Sequence, residues 1–83
     1  MTRNDITQAA TDIFRRVLNN PQLELHDGLT AAEVPNWGSL SHVNLMVSIE
    51  EYFHIRFTGK DFRSLHNVGD LITLIAKKCN GTN

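Results

Sequence analysis

The chain has 83 residues, a mass of 9.4 kDa and a net charge of −1. This length is enough for one small hydrophobic core, so it excludes a multi-domain enzyme and predicts a single domain over residues 1–83. Apolar residues make up 41% of the chain, which is typical of a folded globular protein.

The charged residues are unevenly distributed along the chain. No Lys or Arg occurs from Val17 to Ile55, whereas five acidic residues do. Because phosphate contacts need Lys or Arg, this segment is not expected to bind nucleic acid, and a basic protein partner is predicted instead. The five acidic residues are Glu24, Asp27, Glu33, Glu50 and Glu51.

The cysteine and histidine content gives no sign of a disulfide or a metal site. Cys79 is the only cysteine, and its spacing from His26, His54 and His66 fits no zinc pattern. The N-terminus has no apolar run of signal-peptide length, and no stretch approaches the ~20 apolar residues that span a bilayer. We therefore expect a cytoplasmic protein with no membrane span and no metal.

Two segments dominate the first half of the chain. Apolar residues recur at steps of three and four from Thr2 to Leu18, which predicts a first helix capped by Thr2 with Asp5, or by Asn4, and ended before Pro21. Residues 22–38 show no period and predict a long loop. The apolar anchors of that loop are Leu23, Leu25, Leu29 and Val34.

Three more helical segments follow. A second helix is predicted from Ser39 to Phe53, and residues 58–65 allow only a short third helix. Asn67 followed by Asp70 predicts the start of a last helix, with Lys77 and Lys78 near its C-terminus. The apolar residues predicted to define the second helix are Leu40, Val43, Met46, Val47, Ile49, Tyr52 and Phe53.

These elements predict an all-α protein. Three main helices, a short third helix and a long loop between helices 1 and 2 make a small four-helix bundle. The alternation at residues 55–57 is too short for a sheet.

Ser39 follows Gly38 and opens the second helix, which allows two interpretations. Serine is a common N-cap, so a purely structural role is one of them. The other is functional, because backbone N–H groups and the helix dipole at this position stabilise an anion such as a phosphate ester. The serine alone does not distinguish the two.

The segments around Ser39 resemble the core motif of acyl carrier proteins and related phosphopantetheine-binding carriers. The resemblance begins at Trp37-Gly38-Ser39-Leu40 and continues through Ile49-Glu50-Glu51-Tyr52-Phe53-His54-Ile55. Upstream, residues 29–35 resemble the family's loop into its second helix, and residues 61–71 resemble its short third helix and the cap of its fourth. The similarity covers residues 29 to 76.

The resemblance implies a carrier domain spanning residues 1–83 and no enzymatic activity of its own. A phosphopantetheinyl transferase would attach 4′-phosphopantetheine to Ser39, and the arm would hold an acyl or aminoacyl group as a thioester. Monomeric carriers of this kind serve acyl-transferring, ligase or synthase enzymes, in fatty acid or polyketide biosynthesis. The residues expected to meet the basic docking surfaces of these enzymes are Leu40, Val43, Met46, Glu50 and Glu51.

The chain departs from the family pattern at Gly38, where the family has an acidic residue, and in its weak overall acidity. The weak acidity favours a specialised carrier. Gly38 indicates a transferase that tolerates it, or leaves open an alternative, a helical protein-interaction module with the same bundle and no prosthetic group.

Two further interpretations concern neighbours of Ser39. His42 lies three residues after it, so a Ser-His nucleophile is conceivable, although an exposed helix start offers no evident orienting carboxylate or oxyanion hole. Trp37 is expected to plug the loop over the core rather than to stack on a ligand.

Overall fold

The computed structural model describes residues 2–79, and within that range the regular secondary structure is helical, with no strand. The helices are α1 (Arg3–Val17), α2 (Ser39–Phe53), α3 (Gly59–Ser64) and α4 (Val68–Cys79), with a 3-10 turn at Ala31–Glu33. The predicted all-α bundle, with a short third helix and a long loop between α1 and α2, is confirmed. The 3-10 turn in that loop was not predicted.

Local sequence signals start the helices. The Asp5 amide donates to Thr2 Oγ1 and the Thr2 amide donates to Asp5 Oδ2, both at 3.1 Å, which is a capping box for α1. Thr58 starts α3 in the same way. At α4 the Asp70 amide donates to Asn67 Oδ1 at 2.8 Å, so the predicted cap is confirmed.

The core lies where α1 packs against α2 and α4. Burying one apolar stripe from each helix supplies most of the stability of a bundle this small. The helical residues of the core are Ile6, Ala10, Ile13 and Phe14 from α1, Leu45, Met46, Ile49 and Phe53 from α2, and Val68, Leu71, Ile72 and Ile75 from α4.

The long loop is anchored as predicted, because Leu23, Leu29 and Val34 are buried and Leu25 is partly buried against the core. It also bonds to the start of α4, where the Val68 amide donates to the Leu29 carbonyl at 2.9 Å and the Gly69 amide to the Asp27 carbonyl at 2.8 Å. A Cβ on Gly69 would lie 3.0 Å from that carbonyl oxygen, so the loop can approach this closely only beside a glycine.

The predicted apolar face of α2 needs correction at three positions. Met46, expected on the docking face, is 0% exposed and lies in the core. Val47 and Tyr52, counted with the helix stripe, are 44% and 56% exposed. The reason is that α2 has apolar residues on both faces, so the helical period alone cannot say which face is inside.

None of the helices within residues 2–79 is both long enough and apolar enough to cross a membrane.

Candidate functional site

Ser39 is the first residue of α2, and Gly38 occupies the N-cap position. The serine is exposed, and among residues 2–79 no hydrogen bond engages its hydroxyl. The structural interpretation, in which Ser39 caps the helix, is therefore wrong: the N-cap is one residue earlier. This hydroxyl is available for chemistry.

The turn before Ser39 is held to the start of α2 by Ser41. The Ser41 Oγ accepts from the Gly38 amide at 2.8 Å and donates to the Asn36 carbonyl at 2.6 Å. Asn36 has a φ of 71°, a left-handed conformation that Asn tolerates better than most residues. Its side chain donates to the Leu18 carbonyl at 3.3 Å, which ties the turn to the end of α1.

The N-terminus of α2 carries no carboxylate. Its first turn contains no acidic residue, and Gly38 offers no capping side chain. The amide groups here point outward at the positive end of the helix dipole, which favours an anion beside Ser39. An open surface depression of about 590 Å³ adjoins them, and it is bordered by Trp37, Leu40 and Asn44.

Trp37 and His42 form a hydrogen-bonded pair next to this turn. The Trp37 Nε1–H donates to His42 Nδ1 at 3.1 Å, and the two rings lie at 23° to each other. Trp37 also packs edge-on against Phe14, with ring centroids 5.1 Å apart, so the expected plug over the core is confirmed. Burial lowers the pKa of His42 below its ordinary value.

Three of the expected docking residues lie on the outer surface of α2. Leu40 is 77% exposed, Val43 is 48% exposed, and Glu51 is exposed. Positions 40, 47 and 51 follow helical spacing, so Val47 extends the same stripe.

Glu50, by contrast, is partly buried and has a structural bond. Its Oε2 accepts from the Phe57 amide at 2.8 Å, which holds the segment after α2. His54 ends α2 in a left-handed conformation, so the chain turns back there. Glu50 therefore contributes less free charge to the surface than Glu51 does.

The structure supports neither a Ser-His nucleophile nor a metal site. His42 uses Nδ1 to bind Trp37, and no hydrogen bond joins it to Ser39 within the described part of the chain. Among residues 2–79, no three His, Cys, Asp or Glu side chains are grouped so that they could hold a metal ion.

Sequence reasoning missed the roles of Ser41 and Asn36. A signal was present for Ser41, since a polar residue at the third helical position is typical of a capping interaction. Asn next to a proline also indicates a turn. Neither signal identifies which atoms meet.

Comparison with known proteins gives one informative result. No family model matches the chain, and no curated protein matches it. Among solved structures, the chain is similar to the solution NMR structure of holo acyl carrier protein from Geobacter metallireducens, with a TM-score of 0.87 and 38% sequence identity. The similarity covers 93% of this chain and 88% of the other. Since both the helical fold and the sequence agree over nearly the whole length, this chain belongs to the acyl carrier protein family.

Proposed function

We propose that this protein carries an acyl or aminoacyl group as a thioester on a 4′-phosphopantetheine arm attached to Ser39. The observation that supports this most directly is the exposed Ser39 hydroxyl, which lies at the first position of α2 and is engaged by no hydrogen bond among residues 2–79. With coenzyme A as donor, the serine oxygen forms a new P–O bond to the phosphopantetheine phosphorus, the pyrophosphate bond of coenzyme A breaks, and 3′,5′-adenosine bisphosphate leaves. The transferase takes the hydroxyl proton.

The electrostatics of the site favour the product of this reaction. A phosphodiester on Ser39 carries a negative charge, and the amide groups and dipole at the start of α2 stabilise it by about 0.3–1 kcal/mol. No acidic residue in the first turn opposes it. The similar Geobacter protein is a holo acyl carrier protein, which is consistent with a prosthetic group on this chain.

The outer stripe of α2 is the proposed docking surface. Leu40, Val43 and Val47 offer apolar contacts, and Glu51 offers an exposed negative charge at the far end of the helix. Partners would be a phosphopantetheinyl transferase and the acyl-transferring, ligase or synthase enzymes of a fatty acid or polyketide pathway, each with a basic surface. Charge attraction would raise their rate of encounter with this face.

We further propose that residues 1–83 act as a single carrier domain, monomeric and cytoplasmic, with no catalytic activity of its own. A bundle of this size offers docking surface and few enclosed spaces, which suits a protein that presents a mobile arm.

Intact mass measurement tests the attachment. The wild-type chain, incubated with a broad-specificity phosphopantetheinyl transferase and coenzyme A, is expected to gain the mass of one phosphopantetheine, and Ser39→Ala is expected to gain nothing. Ser48→Ala is the matched control, because it removes a hydroxyl from the same helix and leaves the Ser41 bonds that hold the turn intact. A wild-type chain that stays at its apo mass, while a known carrier in the same tube is converted, would instead support the unmodified interaction module.

The free thiol of the new arm gives a second readout. The Cys79 thiol is partly buried, and burial raises its pKa, so at neutral pH it is expected to react more slowly than the arm thiol. Loading should therefore add one fast-reacting thiol to the wild-type chain and none to Ser39→Ala.

A charge reversal tests the docking surface. Glu51→Lys is expected to slow loading while leaving the melting temperature nearly unchanged, because Glu51 is exposed. Asp12→Lys, at an exposed position on α1, is the control for the same change in net charge. Equal slowing by both variants would show that net charge, and not the α2 surface, sets the rate.

A further inference from the structure

The turn that presents Ser39 lacks a side chain at its N-cap and is held by residues around it. Gly38 contributes backbone alone, and its Cβ position faces open space. Besides the Ser41 bonds, the only side-chain link from this turn to α2 within residues 2–79 is the Trp37 Nε1–H bond to His42 Nδ1. Trp37 is two residues before Ser39, so this link fixes the path of the chain just before the modified residue.

The pair is part of a packed aromatic cluster that joins three helices. Trp37 lies edge-on to Phe14 of α1, and His42 lies edge-on to Phe62 of α3 with ring centroids 6.1 Å apart. The Trp37 and His42 rings lie nearly parallel, at 23°, with centroids 6.1 Å apart. The bond therefore holds the turn in register with both α1 and α3.

The hydrogen bond from Trp37 requires a particular protonation state of His42. An indole nitrogen can only donate a hydrogen bond, so His42 Nδ1 must be unprotonated to accept from it. Protonation would place two N–H donors against each other at 3.1 Å and break the bond. The bond exists only with neutral His42.

We propose that Trp37 and His42 are positioning residues for the loading of Ser39: their hydrogen bond holds the serine in the presentation that the transferase recognises, and protonation of His42 releases it. This proposal rests on the proposed function, since it assigns a role in loading. The turn is expected to be released only under acidic conditions. Burial lowers the pKa of His42, so the histidine is neutral and the bond is intact at neutral pH.

Few other titratable or charged groups of the described chain lie near the Trp37–His42 bond. A cavity of about 60 Å³ beside it is lined by one other titratable residue, His66, from the connection between α3 and α4. On α3, the Asp61 carboxylate next to Phe62 is engaged by Lys78 of α4 at 3.2 Å. The remaining residues that line the cavity are Ala31, Trp37, Leu65, Asn67 and Leu71.

The test compares one variant that removes the hydrogen bond, one that keeps an acceptor but removes its titration, and one control. Trp37→Phe retains an aromatic ring against Phe14 and lacks the N–H donor. His42→Gln retains an acceptor that does not titrate, and His66→Gln is the control for the second histidine. The loading kinetics of each variant are measured by intact mass, with one transferase and coenzyme A, between pH 5 and 8.

We expect Trp37→Phe to raise the KM for the carrier about two- to tenfold with little change in kcat, because only the fraction in the held conformation is recognised. Relative to wild type, His42→Gln is expected to lose the drop in loading on the acid side, and His66→Gln to keep it. If wild type is loaded and Trp37→Phe shows the same KM and pH profile, the positioning role is refuted while the carrier function stands. If wild type is not loaded at all, the carrier function fails first.

A readout independent of loading follows the bond itself. Trp37 is the sole tryptophan in the sequence, so its fluorescence and its indole N–H resonance report on this one ring. Both should change in one step below pH 6.5 in wild type and His66→Gln, and neither should change in His42→Gln. Trp37→Phe has no indole and gives the background signal. An indole N–H signal in wild type that does not respond to pH would overturn the proposed release.

Discussion

The missing acidic residue at position 38 can be restored, and the structure predicts the result. Gly38 is the N-cap of α2, with φ −113° and ψ −166°, an extended conformation open to any residue. A Cβ built there meets no atom within 4 Å. Gly38→Asp should therefore fit without strain and place a carboxylate within reach of the free amides of the first turn.

The expected gain in stability is about 1 kcal/mol. Replacing Gly by a capping side chain contributes a few tenths of a kcal/mol, and a negative charge at the helix N-terminus adds about 0.3–1 kcal/mol. For a domain of this size, such a gain raises the melting temperature by about 4–8 °C. Gly38→Asn caps the helix without a charge, so the difference between Asp and Asn isolates the electrostatic contribution.

Thermal melts followed by circular dichroism, at low and high salt, measure the capping contribution and the electrostatic contribution separately. The Asp variant should exceed the Asn variant at low salt, and the two should converge as salt screens the charge. In the loading assay, we expect Gly38→Asp to be loaded faster than Gly38→Asn at low salt if the transferase has a basic surface. Melting temperatures for both variants at or below that of wild type would refute the assignment of Gly38 as an uncapped N-cap.

Three further predictions concern the bundle. Ile49→Ala should cost about 2–5 kcal/mol in urea unfolding because Ile49 is fully buried, whereas Val47→Ala should cost below about 1 kcal/mol; equal costs would mean that the faces of α2 are assigned wrongly. Gly69→Ala should lower the melting temperature, because its methyl group would press on the Asp27 carbonyl; an unchanged value would show that the loop can move aside. Hydrogen bonds from the Thr58 amide and then from Lys78 hold the pKa of Asp61 below its ordinary value. Ionised Asp61 therefore stabilises the fold above about pH 4, and this stabilisation is lost as the pH falls through its lowered pKa. Melts from pH 2 to 7 should show a weaker acid dependence for Asp61→Asn than for wild type.

The parts of the fold that depend on near neighbours were predictable from sequence. The pairs Thr2 with Asp5 and Asn67 with Asp70 are three residues apart, and each makes the expected bond. Such caps depend on local geometry alone, so a short stretch of sequence specifies them.

The contacts that complete the site depend on loop conformation and were not predictable. The Glu50 bond to the Phe57 amide forms because His54 turns the chain back in a left-handed conformation. The Trp37 bond to His42 requires the turn at Asn36. A residue type permits these conformations without specifying them, and the partners lie too far apart for a periodic pattern to pair them.

On the outer face of α2, the apolar pattern of the sequence does not correspond to the buried core. Leu40, Val43 and Val47 look like core residues by composition, yet the fold leaves them in solvent and buries Met46 instead. Large apolar side chains on an exposed helix face add little to the stability of the monomer, so packing within the bundle does not account for all three. The docking role proposed for this face would account for them, because partners that bind the helix beginning at Ser39 would cover these side chains while the proposed arm enters their active sites.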